Sequence, residues 1–138
     1  MVDSVTAMLT AWREAVGTRN AERVAGFYAD DPEFRWIEDG MVRYTSRQQL
    51  LVAYRGQMPS LRAMEFTLDN PQVTPLAPGV ALVTTVFTQK ITDTLGTVTG
   101  FAGMLTMTVI HADSGWRFLA GHTSSVIPRG TAPGLKSN

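Results

Sequence analysis

Cysteine is absent from this 138-residue chain, and histidine occurs only twice. Without cysteine there is no disulfide, no thiol nucleophile and no thiolate-bound metal or iron–sulfur cluster. His111 and His122 stand in no His-x-x-x-His or Glu-x-x-His pattern, so a zinc or di-iron site is not expected. The glycine signatures of phosphate loops, dinucleotide sites and hydrolase nucleophile elbows are missing as well. The sequence therefore predicts a protein without a metal or cofactor.

An excess of charge of either sign is also missing, because 12 basic residues balance 12 acidic ones and the isoelectric point is near 6.7. Nucleic-acid binding and membrane-surface binding both need a basic face, so neither partner is expected. No apolar run approaches the roughly 18 residues that span a bilayer. The N-terminal segment lacks the basic region of a signal peptide. These absences together favour a cytoplasmic protein.

The first half of the chain has the apolar spacing of helices. An apolar face over residues 5–16 predicts a first helix that ends at Gly17, and Asn20 is the expected N-cap of a second. The segment 46–49, Ser-Arg-Gln-Gln, has the pattern of a capping box and predicts a third helix, which Pro59 closes.

Strands are predicted on both sides of the third helix. Asp39-Gly40, between Glu33–Glu38 and Met41–Tyr44, indicates a tight hairpin, because this turn needs positive φ. After residue 60 the apolar period changes to 2, and the last three strands should form an antiparallel meander. Gly100 and Gly103 indicate a bulge or sharp curvature in one of them. The expected strands lie at about 63–74, 79–92, 97–111 and 115–127.

This order of elements predicts the α+β class, with three N-terminal helices packed on a strongly curved, mixed and mainly antiparallel sheet. A long curved sheet wrapped round a helix leaves a cavity at its open end. The chain length suits one domain, which we expect over residues 1–127. The segment 128–138 is rich in Pro, Gly and Ser, and we expect it to be a flexible C-terminal tail.

Three motifs, in this order, carry a family resemblance: Phe27-Tyr28-Ala29-Asp30-Asp31, the Asp39-Gly40 hairpin, and Gly115-Trp116-Arg117-Phe118 leading to His122 and Ser124. Over about residues 5–127 the chain resembles the nuclear transport factor 2-like (NTF2-like) superfamily in its SnoaL-like branch. The resemblance implies a cone-shaped, cystatin-like fold with one pocket. It implies no single activity, since this superfamily includes isomerases, cyclases, dehydratases, epoxide hydrolases and binding or assembly domains.

The resemblance can be tested against the ketosteroid isomerases of the superfamily, residue by residue. The position that matches their carboxylate base holds Trp36, and the position of their oxyanion-hole tyrosine holds Trp12. Their second oxyanion donor would fall near Met107. Proton abstraction needs a base, so this activity is disfavoured, although the Trp12 indole could still donate one hydrogen bond.

His122 is the first candidate for a catalytic group. It stands where SnoaL-type polyketide cyclases carry an acidic base, and an imidazole could transfer protons near neutral pH. Scytalone dehydratase-like members also use histidines in the cavity, but in pairs. A strand of period 2 would place His122 on one face with Trp116, Phe118, Ala120 and Ser124. The alternative is a structural histidine that is hydrogen-bonded to a neighbouring carbonyl.

Glu38 is the second catalytic candidate, because it shares the face of Phe34 and Trp36 on the first strand. It could orient His122 or act as a second acid–base group, and so could Asp39, which the hairpin turn explains more simply. We predict that ligand-binding side chains come from the aromatic and methionine residues, although many of these could be ordinary core. The predicted set is Trp12, Tyr28, Trp36, Tyr54, Met58, Phe87, Phe101 and Phe118.

Two functions from different classes follow from these residues. The first is a cofactor-independent isomerase, cyclase or lyase, such as a dehydratase, that acts on an apolar ring-containing substrate by acid–base chemistry. The alternative is a non-catalytic ligand-binding or dimeric assembly domain. In both cases we expect a homodimer through the sheet, because apolar residues occupy both faces of one strand. Val98, Ala102, Met104 and Ile110 alternate there with Phe101, Leu105, Met107 and Val109.

Overall fold

A computed structural model describes residues 1–112 and 114–126. The predicted tail at 128–138 lies outside these residues, so its flexibility stays a prediction. Three helices, α1 (Val2–Thr18), α2 (Ala21–Ala25) and α3 (Arg47–Gln57), are followed by a short 3₁₀ turn, Met58–Ser60. The strands are β1 (Arg35–Glu38), β2 (Met41–Tyr44), β3 (Leu61–Ala77), β4 (Val80–Asp93), β5 (Val98–Ala112) and β6 (Gly115–Val126).

The helix boundaries follow the local signals closely. The Asn20 side chain accepts a hydrogen bond from Arg23 N at 3.1 Å, and the Ser46 hydroxyl accepts one from Gln49 N at 3.1 Å. Gln49 Oε1 accepts in return from Thr45 N at 2.8 Å. The first helix extends one residue beyond the predicted Gly17, to Thr18, and is followed by Arg19, whose left-handed φ of 54° ends the helical conformation.

The six strands form one mixed sheet in the order β2-β1-β6-β5-β4-β3. Strands β3 to β6 form an antiparallel meander, which includes the predicted meander of the last three strands, and β1 pairs with β6 in parallel. The predicted hairpin turn joins β1 and β2, with φ of 49° at Asp39 and 83° at Gly40. The helices pack on the inner face of this curved sheet. The predicted α+β fold class is confirmed.

Strand β6 contains a bulge that the sequence pattern did not predict. Val109 pairs with Phe118, while the preceding Thr108 pairs with Ala120, so Leu119 is an extra residue. One inserted residue reverses the side-chain alternation of the strand beyond it. Phe118 and Gly121 therefore both face the interior, and His122 faces away from it.

Close backbone approach explains Gly103, one of the two glycines that were expected to mark a bulge or sharp curvature. The pairing of β4 and β5 is continuous across Gly100 and Gly103, so no bulge lies there. A Cβ at Gly103 would instead collide with the carbonyl of Ser124 on β6. At Gly121 the corresponding space is filled by the Trp36 ring. Gly103 therefore lets β5 and β6 approach closely, and Gly121 makes room for the Trp36 ring of β1.

An aromatic cluster forms the core beneath the helices. Phe118 is fully buried and contacts the rings of Trp12 and Tyr28, each with centroids 5.1 Å away. Tyr28 meets Trp36 edge to face at 5.2 Å. These tilted and edge-on arrangements suit the ring quadrupoles and fix the positions of the aromatic side chains that surround the cavity.

Candidate functional site

The open end of the cone contains a cavity of about 280 Å³. Its walls come from α1, α3, the β1–β2 hairpin and the inner face of β3 to β6. The cavity is therefore bounded by elements from nearly the whole chain. The lining residues are Trp12, Tyr28, Trp36, Glu38, Asp39, Arg43, Tyr44, Tyr54, Gln57, Met64, Phe66, Phe87, Gln89, Ile91, Phe101, Thr123 and Ser125.

Six of the eight predicted ligand-binding residues lie in this wall: Trp12, Tyr28, Trp36, Tyr54, Phe87 and Phe101. Two do not. Phe118 is fully buried behind Trp12, Tyr28 and Trp36 and belongs to the core. Met58 is buried at the start of the 3₁₀ turn and borders a shallow depression next to α2. Both were predicted in the cavity wall because their side chains are apolar, but in the structure they are buried in the core.

Aromatic side chains of β3 and β4 form part of the cavity wall. Phe66 on β3 and Phe87 on β4 stack with centroids 5.3 Å apart and planes inclined by 14°. Phe66 also contacts Trp12, at 5.0 Å. Aromatic side chains in a pocket wall favour contact with apolar or aromatic parts of a ligand.

Glu38 stands at the mouth of the cavity, at the end of β1. Its side chain is 42% exposed, and its Oε1 lies 3.8 Å from Nε of Arg43. Burial raises the pKa of Glu38 above the ordinary value for a glutamate. The Arg43 charge opposes this effect, and the neighbouring Asp39 adds to it. Glu38 is therefore a carboxyl group with a raised pKa at the mouth of a cavity that is lined by aromatic and polar side chains.

A second bulge directs Arg43 toward Glu38. Trp36 pairs with Tyr44 and Ile37 pairs with Val42, so Arg43 is an extra residue on β2. A bulge changes the direction of side chains at a strand, and here it lets both Arg43 and Tyr44 line the cavity. Among the lining residues that the structure describes, Arg43 is the one cationic group, and it lies beside Glu38.

Asp39 anchors the hairpin that carries Glu38. Its carboxylate accepts a hydrogen bond from Ser125 N at 2.6 Å, and its own N–H donates to Thr123 O at 2.9 Å. Both bonds attach the turn to β6. Asp39 therefore positions the hairpin in addition to forming its turn, and its carboxylate is already hydrogen-bonded to Ser125 N.

Three phenol groups and an indole supply polar atoms to the cavity wall. Burial raises the pKa of Tyr28, Tyr44 and Tyr54, so these hydroxyls stay protonated over the physiological range. Within the described part of the chain, no atom accepts a hydrogen bond from the buried Nε1 of Trp12. The site thus combines hydrogen-bond donors with one carboxyl group whose pKa is raised.

His122 does not lie in the cavity wall, and its predicted place on the face of Trp116 and Phe118 is wrong. The bulge at Leu119 reverses the alternation after Phe118, so His122 is exposed on the outer face, opposite Thr106 of β5. The interior positions of β6 beyond the bulge are taken by Thr123 and Ser125. His111 is exposed at the end of β5, with its ring edge-on to Trp116 at 5.3 Å.

Sequence reasoning missed most of the polar lining. Tyr44 could have been found, because the hairpin register places it opposite Trp36. Thr123 and Ser125 required knowledge of the bulge. Gln57 and Gln89 belong to long elements whose polar residues are mostly solvated, and nothing in their local sequence separates them from the others.

No group of three or more histidine, aspartate or glutamate residues that could hold a metal ion occurs in residues 1–112 and 114–126. In the same residues, no helix is long and apolar enough to cross a membrane.

Comparison with known proteins decides the family. Residues 5–128 match the model of the SnoaL-like domain, which is nearly the whole chain. The chain belongs to this family. No match was found among curated proteins. The SnoaL-like domain is similar in fold to many solved structures, all those named below being less than 25% identical to it.

Three solved structures illustrate the likeness of this SnoaL-like domain. A proposed scytalone dehydratase from Novosphingobium aromaticivorans has a TM-score of 0.82 and 13% identity, covering 99% of this chain and 91% of that one. A proposed dehydratase of the NTF2-like family from Streptomyces avermitilis has a TM-score of 0.78 and 20% identity, with coverage of 92% and 96%. A proposed calcium/calmodulin-dependent protein kinase II association domain from Xanthomonas campestris has a TM-score of 0.74 and 23% identity, with coverage of 88% and 85%.

In this SnoaL-like domain, the positions that correspond to the ketosteroid isomerase set supply no base. Trp36 packs over Gly121, and Met107 is fully buried outside the cavity wall. Glu38, two residues beyond Trp36 on the same face, is the carboxyl group nearest to that position on β1.

Proposed function

We propose that this SnoaL-like domain binds a small, largely apolar ring-containing molecule in its cavity. We further propose that it catalyses a proton transfer to or from that molecule without a cofactor. The observation that carries this proposal is Glu38, a half-buried carboxyl group with a raised pKa at the mouth of an aromatic cavity. A general base works best when its pKa approaches the working pH, and burial moves Glu38 in that direction. Reactions of this type include isomerisation, cyclisation and dehydration.

The surroundings of Glu38 fit a proton transfer. Arg43 at 3.8 Å can stabilise the carboxylate before it accepts a proton. In the same cavity, the hydroxyls of Tyr28 and Tyr54 remain protonated and can donate to an oxygen on which negative charge develops. Asp39 holds the hairpin on β6 and so fixes the position of Glu38. His122, on the outer face, has no part in this mechanism.

The test is catalysis of hydrogen–deuterium exchange at carbon in a panel of one- and two-ring ketones, phenols and lactones, followed in D₂O by NMR. The wild-type protein should accelerate exchange for some members, and Glu38→Gln should lower the rate by about 100-fold or more. Glu33→Gln, which changes an exposed glutamate close to β1, is the matched control and should keep the rate. Equal rates in wild type and Glu38→Gln would contradict the proposal.

A homodimer through the outer face of the sheet is a second proposal, which suits a binding or assembly role as well as catalysis. Met104 on β5 is 47% exposed and Val126 on β6 is 69% exposed, and Val86 on β4 is also exposed beside Met104. A second copy of the chain would cover these apolar side chains. Sedimentation equilibrium should detect a dimer that Met104→Glu dissociates, with Leu95→Glu at the β4–β5 turn as control. A monomer at micromolar concentration would contradict this proposal.

A further inference from the structure

Arg43 brings hydrogen-bond donors into the cavity wall that the described chain does not fully use. Other arginines, such as Arg13 and Arg62, donate from the guanidinium group to a backbone carbonyl. Among the described residues, the ion-pair partner of Arg43 is Glu38, and at 3.8 Å the two atoms are too far apart for a hydrogen bond. The Tyr44 hydroxyl, on whose pKa Arg43 acts, can occupy one donor. A guanidinium group has five N–H donors, so several remain available to a ligand.

The two carboxyl groups next to Arg43 compete only weakly with a ligand for its guanidinium group. The Asp39 carboxylate accepts a hydrogen bond from Ser125 N at 2.6 Å and holds the hairpin on β6. Burial raises the pKa of Glu38, so this group ionises less readily than an ordinary glutamate, and in its protonated form it does not neutralise Arg43. A ligand anion with two short hydrogen bonds to the guanidinium group is a stronger partner than Glu38 at 3.8 Å.

The exposure of the lining side chains distinguishes the mouth of the cavity from its interior. The side chains of Arg43 and Glu38 are 57% and 42% exposed, whereas Trp12 and Phe87 are each 3% exposed. A ligand with a charged end and an apolar ring suits this difference, because the charge stays near water while the ring is buried. The cavity volume of about 280 Å³ equals that of about nine water molecules in the liquid. Bonded atoms pack more closely than separate waters, so one ring or two fused rings can enter.

We infer that the ligand is a one- or two-ring carboxylic acid in its ionised form, whose carboxylate binds the Arg43 guanidinium group through two hydrogen bonds at the cavity mouth. The planar fork of an arginine matches a carboxylate in this way, which a lysine cannot reproduce. The inference rests on the proposed function, since it names the substrate class for the same cavity. It makes Arg43 a residue that determines specificity.

This ligand would also act on Glu38. A carboxylate bound to Arg43 takes away the cation that stabilises ionised Glu38, and it adds a negative charge nearby. Both effects favour the protonated form of Glu38. The carboxylate of Glu38 would therefore become a stronger base when the substrate is bound, which is the state in which the proposed proton transfer takes place.

The experiment compares two probes of nearly the same shape, 2-naphthoate and 2-naphthamide, of which only the first is charged. Dissociation constants are measured near neutral pH and at low ionic strength for wild type, Arg43→Gln and Arg23→Gln. Arg23 is the matched control, because it is exposed on α2 and is not among the lining residues. Naphthoate should bind wild type and Arg23→Gln roughly 3- to 10-fold more tightly than naphthamide. In Arg43→Gln this ratio should fall to 1 or below, because Glu38 and Asp39 then repel the carboxylate without a compensating cation.

A second measurement does not depend on any variant being folded. The Nε–H signal of Arg43 in a ¹H–¹⁵N spectrum of the wild-type protein should move clearly more with naphthoate than with naphthamide. The assignment of a carboxylate ligand is overturned, while the pocket proposal stands, by any of three results: equal binding of the two probes to wild type, a preference that survives in Arg43→Gln, or an Arg43 signal that ignores naphthoate. If neither probe binds, the proposal of a small-molecule pocket falls, and this inference with it.

Discussion

In strands β4 to β6, alternate residues form the inner and the outer face of the sheet, and the side chains of the two faces differ in how far they are buried. On the inner face of β5, Leu105, Met107 and Val109 are completely buried, and towards the mouth Phe101 lines the cavity. On the outer face, Thr106 and Met104 are exposed. Because neighbouring residues of a strand point to opposite faces, a shift of one residue along the strand changes which side chains can reach a ligand in the cavity.

The largest difference between the two faces should be in how much truncating a side chain lowers the free energy of unfolding. Leu105→Ala removes a fully buried side chain and should lower the free energy of unfolding by about 2–5 kcal/mol. Thr106→Ala, one residue along on the outer face, should change it by less than about 1 kcal/mol. Chemical denaturation of both variants measures this contrast. Similar losses in the two would mean that the strand does not have the described alternation.

The glycines of β5 should show a somewhat smaller contrast. A Cβ at Gly103 would overlap the Ser124 carbonyl and lie 2.9 Å from Ser125 Cα, so Gly103→Ala should destabilise the protein by about 1–3 kcal/mol. At Gly100, on the outer face, the nearest atom to a new Cβ would be Gln89 O at 3.8 Å, an ordinary contact. Gly100→Ala should therefore be neutral or slightly stabilising. A thermal melt that ranks the two variants in the opposite order would contradict the close approach of β5 and β6.

The smallest expected effect is the pH dependence that Glu38 contributes. Its pKa is raised in the folded protein, mainly by burial, so the folded state holds the carboxyl proton more tightly than the unfolded state does. Stability from this group is therefore fully present below the unfolded pKa and is lost as pH rises through the folded pKa. The stability of Glu38→Gln relative to wild type should increase between pH 4 and pH 7, as denaturation at several pH values can show. A relative stability that falls over this range would contradict the raised pKa.

Much of the fold could be predicted because its signals are local. Asn20 and Ser46 cap helices through their own side chains, and Asp39-Gly40 has the positive φ values of its turn. The alternation of apolar residues in β4 and β5 likewise follows from neighbouring residues alone. These elements need no information from distant parts of the chain.

The candidate site was harder to predict because it depends on two inserted residues. Leu119 and Ala120 are acceptable on either face of a strand, so the sequence around them does not reveal the bulge. Gly121 carried a signal, since a strand glycine often marks close approach, and here it accommodates the Trp36 ring. The bulge at Arg43 is similarly silent in sequence, although it brings an arginine to Glu38. Glu38 itself could be selected from its shared face with Trp36, whereas His122 was assigned to the wrong face.

The central claim is that Glu38, and not His122, is the titratable group that meets the ligand. The most direct measurement is an NMR titration of the Glu38 side-chain carboxyl carbon and the His122 ring carbons, with and without 1-tetralone. We predict a Glu38 pKa above the ordinary glutamate value that changes when the probe binds, and His122 signals that do not respond to it. A His122 titration that shifts with the probe while Glu38 stays unchanged would contradict the account.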